Sequence, residues 1–303
     1  MTPPAVLFHY GSYQPLWRQP GLVQCGPRVP DQVDGFTVSE PDVRCIQRVL
    51  RQRQGDSRAV LLHYTDPFLM RAAPLEGLEH WCAPRLLICG DLHHGPEPIP
   101  TLVRYLHGQP HHAVLLAFNP YLLKQVEAAL TIPVHCYPPG LFRYPRRERI
   151  ADPQLSLVHV GSLGAHHPRR RQIVEALLSR GRIPFEHCTT ATAEEAADVY
   201  ASSALVLNVP LNFDLNHRFF EVMAAGSAQV VFASRRLLGD QHHWAHRPDV
   251  FWVDDLDQLE QRVSNLLTNR DWLKRPVEPP PQWPLNTLLR LCFAPVASVS
   301  AIR

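Results

Sequence analysis

Short apolar runs alternate with segments of helical period along most of the chain. AVLFHY (5–10), AVLLHY (59–64), RLLICG (85–90), HAVLLAF (112–118) and PVHCY (133–137) read as strands. Between them, SEPDVRCIQRVLRQ predicts a helix capped by Ser39, with Val43, Ile46 and Leu50 on one face. PIPTLVRYLHG predicts a second helix. NPYLLKQVEAAL predicts a third, with Asn119 as N-cap and Pro120 at the first helical position. Residues 138–154, rich in Pro and Arg and without periodicity, then read as a linker.

The alternation restarts after the linker. LSLVHVGS (155–162) is a strand; PRRRQIVEALLSRG follows as a helix with Ile173, Val174, Leu177 and Leu178 inward and Gly181 past its end. IPFEHC is a strand, and TAEEAADVYAS opens with a capping box from Thr192 to Glu195. ALVLNVPL, DLNHRFFEVMAAG, AQVVFAS, DVFWVD and the helical DLDQLEQRVSNLL complete the series, before a Pro-rich stretch and a last amphipathic segment, LNTLLRLCF. Strands alternating with helices imply α/β folding on parallel sheets. Because the pattern runs twice, two doubly wound, Rossmann-like domains are expected, at 1–140 and 155–275, with 276–303 as a separate final segment. Ligands of such sheets bind beyond the carboxyl ends of the strands, so a cleft between the domains is the expected site.

Composition adds a few exclusions. The 303 residues are 45% hydrophobic and 19% charged, which is globular composition, and a net charge of +2 gives no electrostatic footprint for nucleic acid. Only Lys124 and Lys274 are lysines; arginine carries the remaining positive charge and suits bidentate phosphate contacts. Seven scattered cysteines without a C-x-x-C argue for a reducing compartment. With no signal-peptide pattern and no transmembrane run, a cytoplasmic protein is expected.

Three loops after strands could carry chemistry. In VHVGSLGAHHPRRRQ, Gly161, Ser162 and Gly164 lead into a helix that begins with Arg169, Arg170 and Arg171. Three cations at a helix start oppose the macrodipole, and a bound diphosphate would offset that conflict; a solvated basic turn is the plainer reading. In DLNHRFFEVMAAG, Asp214 or Asn216 can cap the helix, while Arg218 and Glu221 share a face at i,i+3. A carboxylate on that apolar helix suits a ligand with adjacent hydroxyls, such as a ribose, or else a surface pair with Arg218. In RLLICGDLHHGPEPIP, Asp91, His93 and His94 follow a strand and could form an acid–base pair or a capped turn. His242 and His246 stand at i,i+4 without the carboxylate of H-E-x-x-H, and no metal site is expected.

Together these loops resemble the GT-B glycosyltransferases, in particular the group-1 type related to the spore-maturation CgeB-like family. DLNHRFFEVMAAG resembles that family's D-x-N-x-R-x-F-E-x-x-A-x-G segment, VHVGSLGAHHPRRRQIVEAL its strand–glycine loop–helix step, and GDLHHGPEPIPTLVRYL a D-x-H-H-G segment. The resemblance implies a GT-B fold with a nucleoside diphosphate sugar, UDP- or GDP-linked first, as donor substrate and no further cofactor. It implies that Glu221 meets the ribose, that Arg218, the Gly161 loop and its arginines hold the diphosphate, and that His187 lies near the base. The last segment would cross back to the first domain. The E-x7-E pattern is absent: Asp214 stands seven residues before Glu221, so Asp214 or the Asp91–His93–His94 loop would serve the sugar. The acceptor is not encoded in any readable motif. Two rivals stand beside transfer: epimerisation of a nucleotide sugar, which needs more acid–base carboxylates than these loops offer, and a silent module that binds a glycan or a partner.

Overall fold

The computed structural model describes residues 5–293 except 55–57, 94, 137–141, 165–166, 212–213, 239–245 and 281–283. The chain divides into two compact units, Met1–Arg143 with Pro281–Arg303, and Tyr144–Pro280.

The first unit carries a seven-stranded sheet. Its strands are β1 (Ala5–Phe8), β2 (Leu22–Gly26), β3 (Gly35–Thr37), β4 (Val60–Thr65), β5 (Arg85–Cys89), β6 (Ala113–Leu116) and β7 (Val134–Cys136), in the spatial order β3-β2-β1-β4-β5-β6-β7. Every pairing in it is parallel. Helices α1 (Val43–Gln54), α2 (Pro67–Ala72), α3 (Pro98–Gly108) and α4 (Leu123–Ala129) connect the strands. Val43, Ile46 and Leu50 of α1 pack with Val6, Phe8 and Trp81, while Leu102 of α3 and Val126 of α4 pack with Leu87 and Val114. The direction of winding reverses between β1 and β4.

Several local expectations shift. The helix expected from Ser39 starts at Val43; Asp42, not Ser39, accepts the Arg44 N–H at 2.7 Å. Asn119 makes no capping bond, and the chain enters a 3-10 turn at Pro120 before α4. Its fully buried amide reaches across to accept the Leu92 N–H at 2.9 Å instead. Strands β2 and β3 and helix α2 were not expected at all. Asp66 caps α2, accepting from Phe68 and Leu69.

The second unit carries β8 (Gln154–Val160), β9 (Phe185–Cys188), β10 (Ser203–Asn208), β11 (Ala228–Phe232) and β12 (Val250–Val253), ordered β12-β11-β10-β8-β9 and again wholly parallel. Its helices are α5 (Pro168–Arg180), α6 (Ala193–Ser202), α7 (His217–Ala224) and α8 (Leu256–Thr268). Side chains alternate across a strand. Accordingly Leu205 and Leu207 pack with Ile173, Leu177, Leu259 and Val263 of α5 and α8, whereas Val206 packs with Ala197 and Tyr200 of α6 and Val222 of α7. Leu178, expected inward, is 52% exposed. Half of the capping box forms: Thr192 accepts the Glu195 N–H at 3.1 Å, while Glu195 turns back to the Ala191 N–H at 2.8 Å, one residue before the cap. Asp255 caps α8, and Asp257 pairs with Arg180 at 2.7 Å.

The last helix, α9 (Leu285–Phe293), belongs to the first unit. It buries Leu285, Leu288 and Leu289 and sets Phe293 edge-on to His112 at 6.4 Å. Among the described residues no helix is long and apolar enough to cross a membrane.

Candidate functional site

Winding reverses in the second unit between β8 and β10, because the chain steps out to β9 and returns on the other side of β8. Such a switch point opens a crevice beyond the carboxyl ends of the two strands. The loops that leave β8 and β10 are the two glycine- and arginine-bearing stretches singled out from sequence.

Arg218 stands in the first turn of α7 and turns its guanidinium onto the end of β8. Nη2 donates to the Val160 carbonyl, and Nη1 lies 3.2 Å from His159 Nε2. The same Nη2 occupies the space a Cβ at Gly161 would need, and Gly161 has φ +126°. The φ at 161 calls for glycine, and a side chain there would also push the guanidinium aside. Among the described residues Arg218 makes no ion pair with Glu221 within 4 Å, so the surface-pair reading of these two does not describe the site.

The three arginines that open α5 go three ways, as the 100° step between helical neighbours demands. Arg169 is exposed, with its guanidinium 6.0 Å over the Phe232 ring. Arg171 is exposed and ties the loop down by donating to the Leu163 carbonyl at 2.8 Å. Arg170 lies on the stripe of Ile173, Val174 and Leu177 and is 9% exposed. It reaches the Val209 carbonyl at 3.5 Å, and burial, then Arg218, lowers its pKa to about 10 while Asp214 partly opposes. The Nε–H groups of both Arg170 and Arg218 are buried without a partner among the described residues. The N-cap of α5, His167, makes no side-chain capping bond.

Glu221, half-buried, sits one turn along from Arg218. Burial raises its pKa, and Arg218 and the Tyr200 hydroxyl draw it back in part. Tyr200 is itself buried, its pKa raised to about 12 chiefly by that burial. The start of α7 is held by a chain of side-chain amides. Asn216, not Asp214, is the cap and accepts the Phe219 N–H at 3.1 Å. Its Nδ2 donates to Asn208 at 3.0 Å, Asn208 donates to Gln229 at 3.2 Å, and Gln229 donates to the Phe219 carbonyl at 2.8 Å. Asp214 is buried near Arg170. Gly226 lies just past the α7 C-cap with φ +69°.

Two histidines complete the floor. His187 Nε2 lies 2.9 Å from the Gly161 carbonyl, which fixes it as a donor. Its ring stacks on His159, with centroids 5.3 Å apart and planes at 21°. Burial, then Arg218 and Arg170, holds His159 down at about 2. Ser162 is exposed and accepts the Gly164 N–H at 3.0 Å, so its hydroxyl shapes the loop.

The remaining candidates stand in the first unit. Asp91 and His93 follow β5; both are partly exposed, and the loop between them is pinned through Leu92 N–H to Asn119. His94 lies outside the described residues, as does His242. Among the described residues no group of three or more His, Cys, Asp or Glu could hold a metal ion. Sequence reasoning passed over His9, at the end of β1 beside that sheet's own switch point. Its Nε2 is 3.1 Å from Gln24 Oε1, and Gln24 is oriented by Gln14, whose N–H it accepts at 3.0 Å and whose carbonyl it bonds at 2.9 Å. The proton must then sit on Nε2, leaving Nδ1 a lone pair.

Residues 169–275, from the start of α5 to beyond α8, match the glycosyl transferase-like family model. Among solved structures, an alpha-glucosyltransferase in complex with UDP and a 13-mer DNA containing an HMU base superposes with a TM-score of 0.53. The superposition covers 90% of this chain and 92% of that one at 10% identity. The fold is GT-B. An alpha-glucosyltransferase in complex with UDP-glucose and DNA containing an abasic site is a weaker likeness, with TM-score 0.49, 10% identity and 83% of each chain covered. So is the sucrose-phosphate synthase of Thermosynechococcus elongatus, with TM-score 0.47, 11% identity and coverage of 76% of this chain and 69% of that one. No curated protein matches the sequence.

Proposed function

We propose that this GT-B protein is a glycosyltransferase that takes its sugar from a nucleoside diphosphate donor bound by the second unit. The observation that carries the reading is the pairing of buried Arg170 with half-buried Arg218, whose guanidiniums repel one another at the strand ends and whose Nε–H donors are buried and unpaired among the described residues. Asp214 and Glu221 offset part of that repulsion, and an anion joining both guanidiniums would offset more. A diphosphate supplies two negative groups with several acceptor oxygens, and the uncapped start of α5 adds backbone N–H groups to the same charge. The glycosyl transferase-like match over 169–275 supports the same assignment.

In this reading Glu221 accepts hydrogen bonds from the ribose hydroxyls, with Tyr200 fixing its carboxylate. His187 and the Gly161 loop line the side toward the base, Arg169 and Ser162 stand at the exposed rim, and Asp214 and Asn216 set the α7 end. The acceptor oxygen bonds to the anomeric carbon as the bond from that carbon to the phosphate oxygen breaks. The electron pair leaves with the nucleoside diphosphate, and the charge developing there meets Arg170 and Arg218. The two guanidiniums supply this stabilisation without calling on a cation. An inverting transfer needs a base to take the acceptor proton, and a retaining transfer needs none. UDP and GDP are the first nucleotides to test, and the solved alpha-glucosyltransferase of the same fold holds UDP.

Isothermal titration with UDP, GDP and ADP tests the donor site. Heat of binding with one of them is expected, and silence with all three would end the proposal. Mass spectrometry of nucleotide released from a panel of sugar nucleotides then identifies the donor.

A further inference from the structure

We propose that His159 is the positioning residue of the donor site, holding the Arg218 guanidinium in place by accepting its hydrogen bond. The inference rests on the donor reading above. It concerns a residue that touches no substrate in that reading and lies inside a core strand.

A guanidinium has only N–H groups to offer, so at 3.2 Å from Arg218 Nη1 the Nε2 of His159 must be the acceptor. The ring proton then sits on Nδ1, which is buried and without a partner among the described residues. A buried N–H of that kind costs stability, and a leucine or valine would avoid it. What the imidazole provides in return is the lone pair on Nε2. The ring keeps that lone pair because a second proton would place a cation beside Arg218 and Arg170 in a buried setting, and its pKa of about 2 follows from burial and those neighbours.

One contact would let a guanidinium swing; two fix its plane. The Val160 carbonyl on Nη2 and His159 on Nη1 are two such contacts for Arg218, and the Tyr200 hydroxyl lies against it as well. The plane of His159 is fixed in turn by stacking on His187, which is anchored through Nε2 to the Gly161 carbonyl. Arg218 is thus referenced to the loop it serves. Its remaining N–H groups are aimed before a diphosphate arrives, so less order has to be created on binding.

The test compares His159→Gln with His159→Met. The two side chains are close in size, but only glutamine can present an acceptor where Nε2 stands. Titration with the nucleotide that the wild-type protein binds is expected to show about a tenfold weaker Kd for the methionine variant, with glutamine restoring most of it. The methionine variant should melt no lower than wild type, because it removes the unpaired Nδ1–H. Equal binding by the methionine variant and wild type, or equal loss in both variants with the fold intact, would overturn the proposal. A second readout needs no nucleotide. Histidine nitrogen NMR should show His159 as the Nδ1–H tautomer, neutral down to pH 5, with its Nε2 signal shifted in Arg218→Met. A proton on Nε2 overturns the positioning role whatever binds. A wild-type protein silent to UDP, GDP and ADP, but with the expected tautomer, overturns the donor reading alone.

Discussion

Acid should destabilise this protein well before its carboxylates titrate. His63 is 1% exposed and His111 5% exposed in the first unit; their rings stack at 5.6 Å and both Nε2 atoms are buried without partners among the described residues. Burial holds His63 well below its usual value and His111 at about 3. In the second unit His159 is held at about 2 and His217 at about 4, again chiefly by burial. A histidine whose folded pKa is depressed contributes stability above its unfolded pKa and loses it as pH falls. The window therefore opens near pH 6.5, where unfolded histidine begins to take up protons that the folded chain refuses. At pH 5 each histidine that stays neutral in the fold costs about 2 kcal/mol relative to pH 8. His63 and His111 together then remove about 4 kcal/mol from the first unit, against a total of about 5–15 kcal/mol for an ordinary domain. With an m value of about 2 kcal/mol/M, the urea midpoint should fall by roughly 2 M. Urea titrations at pH 8, 6.5, 5.5 and 5, followed by tryptophan fluorescence, measure this directly. Midpoints that stay level from pH 8 to pH 5 would refute the reasoning, as would an unchanged slope in His63→Leu/His111→Leu. Glu221 works in the opposite sense. Its folded pKa is raised, so its contribution is present at low pH and lost as pH rises, and it cannot produce the acid loss.

Three further outcomes follow from the site. Glu221→Gln should weaken nucleotide binding about tenfold by titration while melting no lower at pH 7.5, because a charge that burial disfavours is removed. Arg218→Met should cost about 2–4 kcal/mol of nucleotide affinity, and an unchanged Kd would place the phosphates elsewhere. Asn208→Leu should lower stability by about 1–3 kcal/mol in denaturant titration, since it strands the amide of Asn216 and the carbonyl of Gln229 that it now joins.

The strand-and-helix rhythm was legible because parallel strands buried on both faces are short apolar runs, and nearly all of β4 to β12 announced themselves so. Strands β2 and β3 did not: LVQCG and GFT are too short and too mixed to stand out from their loops. The α7 loop was readable from its cap and its Arg–Glu spacing. The sorting of Arg169, Arg170 and Arg171 was also within reach and was missed. Arg170 precedes Ile173, Val174 and Leu177 by three, four and seven positions, which puts it on the buried stripe. His159 was not legible, since a histidine within LVHV looks like strand interior, and only the approach of Arg218 from sixty residues away gives it work. Asn119 misled for a related reason. Asn before Pro is a capping signature, yet a buried loop N–H at Leu92 claimed its side chain first.

The mutual repulsion of Arg170 and Arg218 makes the second unit a reporter of its own ligand. Any anion that bridges the two relieves a cost present in the free protein, and tight binding raises the melting temperature by the usual linkage. A thermal-shift screen of nucleotides and sugar nucleotides would therefore rank donors before any acceptor is known. The same screen repeated on Arg170→Met should lose its discrimination, which turns an awkward pair of charges into an internal control for finding what the enzyme carries.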